Sequence, residues 1–496
     1  MPHKTRPTAL DTIGSFKTAF SSGRTFITEV LAGLVVAFAM IPEALSFSIV
    51  AGVDPKVGLF ASAAIAITIA FTGGRPAMMS GAAGSVALVI APVMRDYGMD
   101  YLIATVLLGG LLQIIMGVAG VARLMRFIPR SVNIGFLNAL AILIFSAQLP
   151  HLINVPWQVY PLVVAGVLIV WLLPKLTKAI PSSLVAIVVL TIFVVVTGIG
   201  VPTVGDMGEL PSSWPTLLIP QVPLAWETLQ IIFPYAFAMA LVATMESLLT
   251  ANIVDDATQT YSVKSRETWG QGIANLVAGL FGGIGGCGMV GQTVVGIQAG
   301  ARTRLSTLVS GVFLLVLVVA LGDITGLIPM AALVAVMLTV VVSTMDWNSL
   351  KPSTLRVMPF SETFIMLVTV ILTVSTGNLA IGVIAGVVVA IIVFTHNVSQ
   401  FTELERESTP EGTTYRISGL LFFASSNDLF YSFAFNEDTS PVTVDLTGTV
   451  LWDASAVSTL HSIHEKYRKQ GKTMRVTGLR EGGRSQKMLN RLWGVD

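Results

Sequence analysis

The chain has 496 residues, 53% of them apolar and 11% charged, with a formal net charge of +1. A soluble globular protein carries about 25% charged residues, so this composition excludes that class and indicates an integral membrane protein. The near-zero net charge leaves no footprint for nucleic acid, and the single cysteine, Cys287, excludes a disulfide framework or a cysteine-based metal site. Charge is unevenly placed: residues 1–400 hold 34 charged side chains and the last 96 hold 23, which predicts a membrane body with a soluble tail. Residues 1–28 lack the apolar stretch of a secretory signal and are expected to remain as a cytoplasmic N-terminal segment.

A ~30 Å hydrocarbon core needs roughly 20 apolar residues in a helix. Twelve candidate spans meet or approach that length: 29–51, 56–72, 101–121, 127–150, 158–173, 182–199, 228–251, 269–286, 305–322, 328–345, 362–377 and 379–396. Two further apolar segments, 78–93 and 289–299, are interrupted by glycine and small polar residues, and they bring the count to fourteen. The distribution of Lys and Arg supports that count. With a cytoplasmic N-terminus, alternate loops place 16 basic residues inside (Lys4, Arg6, Lys17, Arg24, Arg75, Arg123, Arg126, Arg130, Lys175, Lys178, Lys264, Arg266, Arg302, Arg304, Lys351 and Arg356) and two outside, Lys56 and Arg95. Dropping either interrupted segment would invert every later loop. An even number of crossings puts the C-terminal tail in the cytoplasm.

Fourteen spans divide into two sevens, and an odd number per half forces the second to run inverted. The break falls in the loop 200–227, which carries Asp206, Glu209 and Glu227 but no Lys or Arg. The interrupted segments are then the third and the tenth, equivalent in the two repeats, and paired interruptions are the best sequence pointer to a transporter's binding site.

Two carboxylates lie well inside predicted spans, Glu43 in the first and Glu246 in the eighth, again equivalent positions. Carboxylates at membrane depth usually mark ion or proton routes. Pro42 removes a backbone donor and is expected to distort the first span, and Phe47 shares a helical face with Glu43. In the third segment an extended PAMMS should lead into a helix starting near Ser80, with Gly81, Ala82, Ala83 and Gly84 in its first turn. In the tenth an extended CGM should lead into a short helix opened by Gly291, Gln292 and Thr293. A helix N-terminus offers unpaired N–H groups and a partial positive charge, so it can hold an anion without a basic side chain. Close packing through small residues is the alternative role for such glycine-rich stretches.

After Asn397 the composition changes to a charged linker, TELERESTPEG, followed by strand-like runs TTYRIS, LLFFA and PVTVDL. A helix is expected over 453–470, then a strand at KTMRVTG and a last helix over 484–492, which together predict a small α/β domain. The domain boundaries expected are 1–28, 29–396 for the membrane body, 397–411 for the linker and 412–496 for the tail. His461 and His464 lack a third ligand, so no metal is expected there. No Walker loop, dinucleotide fingerprint or serine elbow is present, and no cofactor is expected.

PEALSFSIVAGVDPKVGLF, MESLLTANIVDD, RETWGQGIANLVAGLFGGIGG and QAGARTRLS together resemble the SulP family of anion transporters, the sulfate permease superfamily, and ISGLLFFAS, VTVDLTG and DASA resemble its C-terminal STAS domain. The resemblance implies two inverted seven-helix repeats divided into a core and a gate domain, with half-length helices 3 and 10 meeting at the substrate. It also implies that Phe47 lines the pocket, that Glu43 stands where Gln is common, and that Glu246 is the acid linked to proton coupling. Gln292 stands where many animal members place Arg, and Ala83 where many have Phe. Ser455 aligns with a phosphorylatable serine, a candidate regulatory site.

The sequence therefore predicts an all-α polytopic membrane domain of fourteen segments with a cytoplasmic α/β STAS domain. The expected function is proton-coupled symport of a small anion across the cell (inner) membrane, favouring a C4 dicarboxylate such as fumarate or succinate. The expected partners are the anion, protons and membrane lipid, with a homodimer and a regulatory partner at the STAS domain. The alternatives are a sulfate or bicarbonate transporter or an anion exchanger, a nucleobase:proton symporter, a passive anion channel and a membrane-embedded enzyme. An enzyme would need a nucleophile with its base at membrane depth, and Cys287 has no nearby His in the sequence.

Overall fold

The computed structural model describes residues 8–123, 128–176, 181–207, 217–223, 225–320, 326–479 and 483–493. Lys4, Arg6, Arg126, Lys178 and Glu209, used above in placing loops, lie outside them. The chain forms two compact units, residues 1–387 and 388–496.

The first unit opens with a short helix α1 (Thr12–Ala19), then α2 (Gly23–Ala51) and α3 (Pro55–Thr72). Ser22 caps α2 by accepting from the Thr25 N–H at 3.1 Å, Gly52 ends it in the left-handed conformation (φ +76°), and Pro55 starts α3 where no donor is needed. A three-residue strand β1 (Ser80–Ala82) leads into α4 (Gly84–Tyr97), followed by α5 (Met99–Val118), α6 (Arg130–Gln148), α7 (Val159–Leu176) and α8 (Ser182–Thr197). The second half repeats the order: α9 (Trp226–Thr258), α10 (Lys264–Leu280), strand β2 (Gly286–Gly288) into α11 (Val290–Gln298), α12 (Arg304–Ala320), α13 (Met330–Thr344), a short α14 (Pro352–Val357), α15 (Phe360–Thr376) and α16 (Leu379–Ser399). Seven of these helices are long and apolar enough to cross a membrane, and four more are apolar with lengths between 10 and 17 residues. With α10 and the two strand-led half-helices they account for the fourteen predicted segments.

Packing partners occur in matched pairs, as two equivalent repeats require. Counting membrane segments from α2, the second packs on the eleventh (α3 on α12) as the ninth packs on the fourth (α10 on α5). Likewise α2 packs on α12 as α9 does on α5, α4 on α9 as α11 does on α2, and α6 on α15 as α13 does on α7. These contacts separate a core group (α2–α5 and α9–α12) from a gate group (α6–α8, α13, α15 and α16). Helices in the core approach to backbone contact. A Cβ placed on Gly272 would lie 2.6 Å from the Gly110 carbonyl oxygen, so glycine is required where α5 and α10 cross.

Several local expectations change. α2 runs through Pro42 as one helix, with the Ser46 hydroxyl donating to the Pro42 carbonyl at 2.8 Å. Two further carboxylates, Glu29 at the edge of the first predicted span and Glu267 just before the ninth element's predicted span, are also buried. Each accepts two backbone N–H groups: Glu267 from Gly74 and Arg75, and Glu29 from Arg302 and Thr303. Arg75 and Arg304, read only as topology markers, are buried side chains. Arg75 pairs with Asp255 at 3.2 Å, and Arg304 donates to the Ala70 and Gly73 carbonyls. Sequence spacing placed these residues in loops and could not show that the loops fold inward on one another.

The second unit carries a four-stranded sheet in the order β3-β4-β5-β6, with β3 (Glu403–Thr409), β4 (Gly412–Leu421), β5 (Val442–Leu451) and β6 (Met474–Thr477). β3 is antiparallel to β4, and the other pairs are parallel. Helices α17 (Phe423–Tyr431), α18 (Ala454–Lys469) and α19 (Arg484–Trp493) complete the α/β unit. The segment expected as a linker thus contains edge strand β3. Its charges face outward and only Leu404 packs on the core, a composition suited to an edge and easily mistaken for a linker. The LLFFA run is also divided, its second Phe opening α17. Asp438 is buried and accepts from Tyr415, Tyr467 and Arg406, which fixes the loop before β5. Burial, reinforced by Asp438, holds the Tyr467 phenol far above its usual titration range.

Candidate functional site

The two strands that precede the half-helices pair with each other, antiparallel, with Ser80 opposite Gly288, Gly81 opposite Cys287 and Ala82 opposite Gly286. All six residues are buried. The Met289 N–H adds a bond to the Met79 carbonyl at 2.8 Å. Two segments more than 200 residues apart are thereby locked into one crossing at membrane depth, from which α4 and α11 depart.

Side chains of the surrounding helices satisfy the rest of the crossing's backbone. Ser62 accepts from the Ala82 N–H at 3.0 Å, Ser247 from the Gly288 N–H at 2.9 Å, and Thr250 donates to the Gly288 carbonyl at 3.0 Å. Gly286 is held on both sides: Asn275 accepts from its N–H at 2.9 Å, while Asn275 and Gln271 donate to its carbonyl at 3.1 and 3.0 Å. Asn275 also donates to Gln113 at 2.6 Å. Replacing Asn275 with Ala leaves a buried N–H and a buried amide oxygen unpaired, at ~1–3 kcal/mol each. A lower melting temperature of the purified protein in detergent is the expected result, and an unchanged one would show that the crossing stands without this clamp.

The half-helices begin at Gly84 and Val290. The first starts four residues later than expected, because Ser80–Ala82 is used up in strand pairing. Ala82 is consequently not a free donor, its N–H being taken by Ser62, and Ala83 is the extended residue before the helix. Neither helix has a side-chain cap, and the first bonds within them begin at Ala87 and Thr293. The unpaired donors of a helix's first turn are therefore those of Gly84, Ser85 and Val86 on one side and Val290, Gly291 and Gln292 on the other. Thr293 is committed elsewhere, since its hydroxyl accepts from the Met79 N–H at 3.0 Å.

Both carboxylates reach this place. Glu246 on α9 accepts from the Ser85 hydroxyl and from the Cys287 thiol at 3.1 Å, both on the same oxygen, Oε2. Glu43 on α2 meets the buried Gln292 side chain and lies within electrostatic reach of Glu246. Phe47 is buried and lies over the α4 N-terminus; a Cβ on Gly84 would come within 2.7 Å of its ring. Gly291, by contrast, is exposed and faces open space, with no atom within 4 Å of a Cβ built there. Ser455 lies apart in the second unit, exposed at the second position of α18, whose N-cap Asp453 accepts from Ala456.

The sequence profile of the sulfate permease family matches residues 26–163 and 154–369, and that of the STAS domain matches 403–489. The chain belongs to the sulfate permease family. Over 92% of its length it is 48% identical to a putative sulfate transporter, YbaR, of Bacillus subtilis, covering 95% of that protein. It is 30% identical to the bicarbonate transporter BicA of a Picosynechococcus species, over 65% of this chain and 62% of that protein. Among solved structures, the transmembrane domain of a cyanobacterial BicA superposes with a TM-score of 0.65 at 27% identity, covering 74% of this chain and 98% of that one. The fold is shared with murine Slc26a9, an anion transporter, at a TM-score of 0.78 and 16% identity over 94% of this chain and 87% of that one. This sulfate permease family member is a multi-pass membrane transporter and not an enzyme.

Sequence reasoning missed Ser85, Cys287 and the Gln113–Gln271–Asn275 clamp. One signal was available: Gln271 and Asn275 are four apart within the otherwise apolar, glycine-rich run 269–280, a polar stripe that has to face a polar partner. Cys287 and Ser85 gave no signal, because only the pairing of β1 with β2 brings them to Glu246.

Proposed function

We propose that this protein carries a small anion into the cell together with protons, the core group moving against the gate group. The observation that supports this is the meeting of two uncapped helix N-termini, with no Lys or Arg in either first turn, beside Glu246 and Glu43. Each terminus supplies roughly half a positive charge, so the pair balances about one negative charge. An ionised Glu246 alone uses that up, and an incoming anion then meets repulsion. Protonation of the carboxyls frees the two termini for the substrate, so anion and proton bind together.

The finer reading is a carboxylate substrate, a C4 dicarboxylate such as fumarate or succinate. Protonated Glu43 adds an O–H donor beside the Gln292 amide, and a substrate carboxylate can accept from both. The second reading is sulfate or bicarbonate, favoured by the names of the relatives YbaR and BicA. Uptake of labelled succinate, fumarate, sulfate and bicarbonate into proteoliposomes, with and without an inward pH gradient, separates these readings. Uphill accumulation of succinate or fumarate is the expected result. Accumulation of sulfate or bicarbonate alone selects the second reading, and downhill flux indifferent to pH overturns symport. In the same assay Gln292→Ala should raise the half-saturating concentration by roughly two- to thirteenfold, the loss of one neutral hydrogen bond of ~0.5–1.5 kcal/mol.

The placement of Lys and Arg supports the cell membrane with both termini cytoplasmic. The family resemblance of the tail supports a homodimer and a regulatory partner at the STAS domain. Ser455 is a candidate phosphosite there, because a phosphate near a helix N-terminus is favoured by the dipole.

A further inference from the structure

Helix α1 presents three different faces. At about 100° per residue, Thr12, Ser15, Phe16 and Ala19 share one face, Ile13, Lys17 and the C-cap Phe20 the next, and Thr18, with the N-cap Asp11, the third; Leu10 precedes the helix.

The first face is docked on the core group. The Thr12 hydroxyl donates to the Phe71 carbonyl at 3.2 Å and accepts from Arg266 at 2.5 Å, Ser15 accepts from the Arg304 N–H at 3.0 Å, and Phe16 stacks on Phe71. Phe71 is one residue from the end of α3, Arg266 is in the first turn of α10, and Arg304 opens α12. The helix therefore lies across the ends of three membrane helices, at the level where hydrocarbon gives way to water.

Apart from Lys17 the second face is apolar and, among the described residues, uncovered: Ile13 and Phe20 are 66% and 63% exposed, and Leu10, just before the helix, is 49% exposed. It runs on into the outward side of α2, since Phe20 stacks on Phe26 and Ile27 and Leu31 are exposed beyond it. That part of α2 leads into an apolar helix long enough to span a membrane, so the apolar strip of α1 continues the exposed apolar side of a membrane helix around a corner. Exposed Lys17 and Arg24 flank the strip. The third face, with Asp11 and Thr18, is polar and exposed.

From this we infer that α1 is an interfacial anchor: its Leu10–Ile13–Phe20 strip is seated among the acyl chains of one leaflet, and Lys17 and Arg24 bind the phosphates of anionic phospholipids. Because the same helix is fastened to α3, α10 and α12, it ties the core group to the membrane surface. A docked helix with no lipid role has no need of an apolar face on its outward side.

The test uses the full chain in liposomes of phosphatidylcholine with about a quarter phosphatidylglycerol. A cysteine is introduced at Ile13, Phe20 or Thr18 and labelled with an environment-sensitive fluorophore. Cys287 is fully buried, and the unsubstituted chain gives the labelling background. Lipids brominated near the headgroup should quench the label at 13 and at 20 several-fold more than at 18, while aqueous iodide should show the reverse order. Leaving out phosphatidylglycerol, or introducing Lys17→Gln with Arg24→Gln, should reduce the lipid quenching at 13. Equal quenching at 13 and 18, or iodide quenching dominating at both 13 and 20, would overturn the anchor. If the Ile13 substitution does not yield folded protein, the Phe20 site carries the same comparison. Quenching that ignores phosphatidylglycerol and both basic residues would remove the phosphate contacts and overturn the proposal as stated.

Discussion

Glu246→Gln is expected to abolish accumulation driven by a pH gradient, while substrate exchange across the membrane stays within a few-fold of the unsubstituted protein. Glutamine has nearly the shape of protonated glutamate, so Ser85 and Cys287 can keep donating to the remaining oxygen and the crossing of β1 with β2 is undisturbed. What disappears is a group that can gain and lose a proton. The two helix termini are then permanently available to the anion, and binding no longer waits for protonation. Counterflow of labelled substrate should persist, and uphill uptake should fall to the level of protein-free vesicles. Unchanged proton-driven uptake would assign coupling to another group, and loss of exchange as well would show that Glu246 holds the substrate site together.

Gly291→Leu should block transport completely in a protein that is still folded and inserted. The position has open space around its missing Cβ, with no protein atom within 4 Å, so a branched side chain can be started there without a backbone clash. On the proposed reading that space belongs to the substrate, and its donors include the Gly291 N–H itself. Crowding removes the room while leaving the donors. A melting temperature close to that of the parent, combined with loss of substrate binding in the purified protein, is the result to look for. Near-normal transport would place the anion elsewhere. Gly84 cannot serve for this test, because a side chain there collides with Phe47 before it reaches any substrate.

Much of the architecture was legible because it rests on periodicity and charge. Alternating Lys and Arg required both interrupted segments to be membrane elements, and fourteen elements required an inverted repeat. The same signal was incomplete where charge had a second use. Arg75 and Arg304 are buried, and Asp255 and Glu267 draw them into contacts that no loop count shows. At the candidate site, the glycine-rich interruptions marked the two segments that pair in the fold, but the register within them was invisible. Nothing local distinguishes a helix starting at Ser80 from one starting at Gly84. The pairing of Ser80–Ala82 with Gly286–Gly288 decides it, and strand pairing between residues this far apart is a property of the folded chain. In the tail, β3 was hidden by its own charges, because an edge strand and a linker are both selected for solubility.

The crossing of β1 and β2 also constrains the thermodynamics of the carrier. The first-turn donors of both half-helices follow directly from one small buried sheet, which is tied at Gly286 from two directions and touches Glu246 through Cys287. If the core group shifts as a block, whichever solution the site faces meets the same ligand shell. On the proposed reading, intrinsic affinity for the substrate is then equal at the two surfaces, and the site itself gives neither surface the tighter grip.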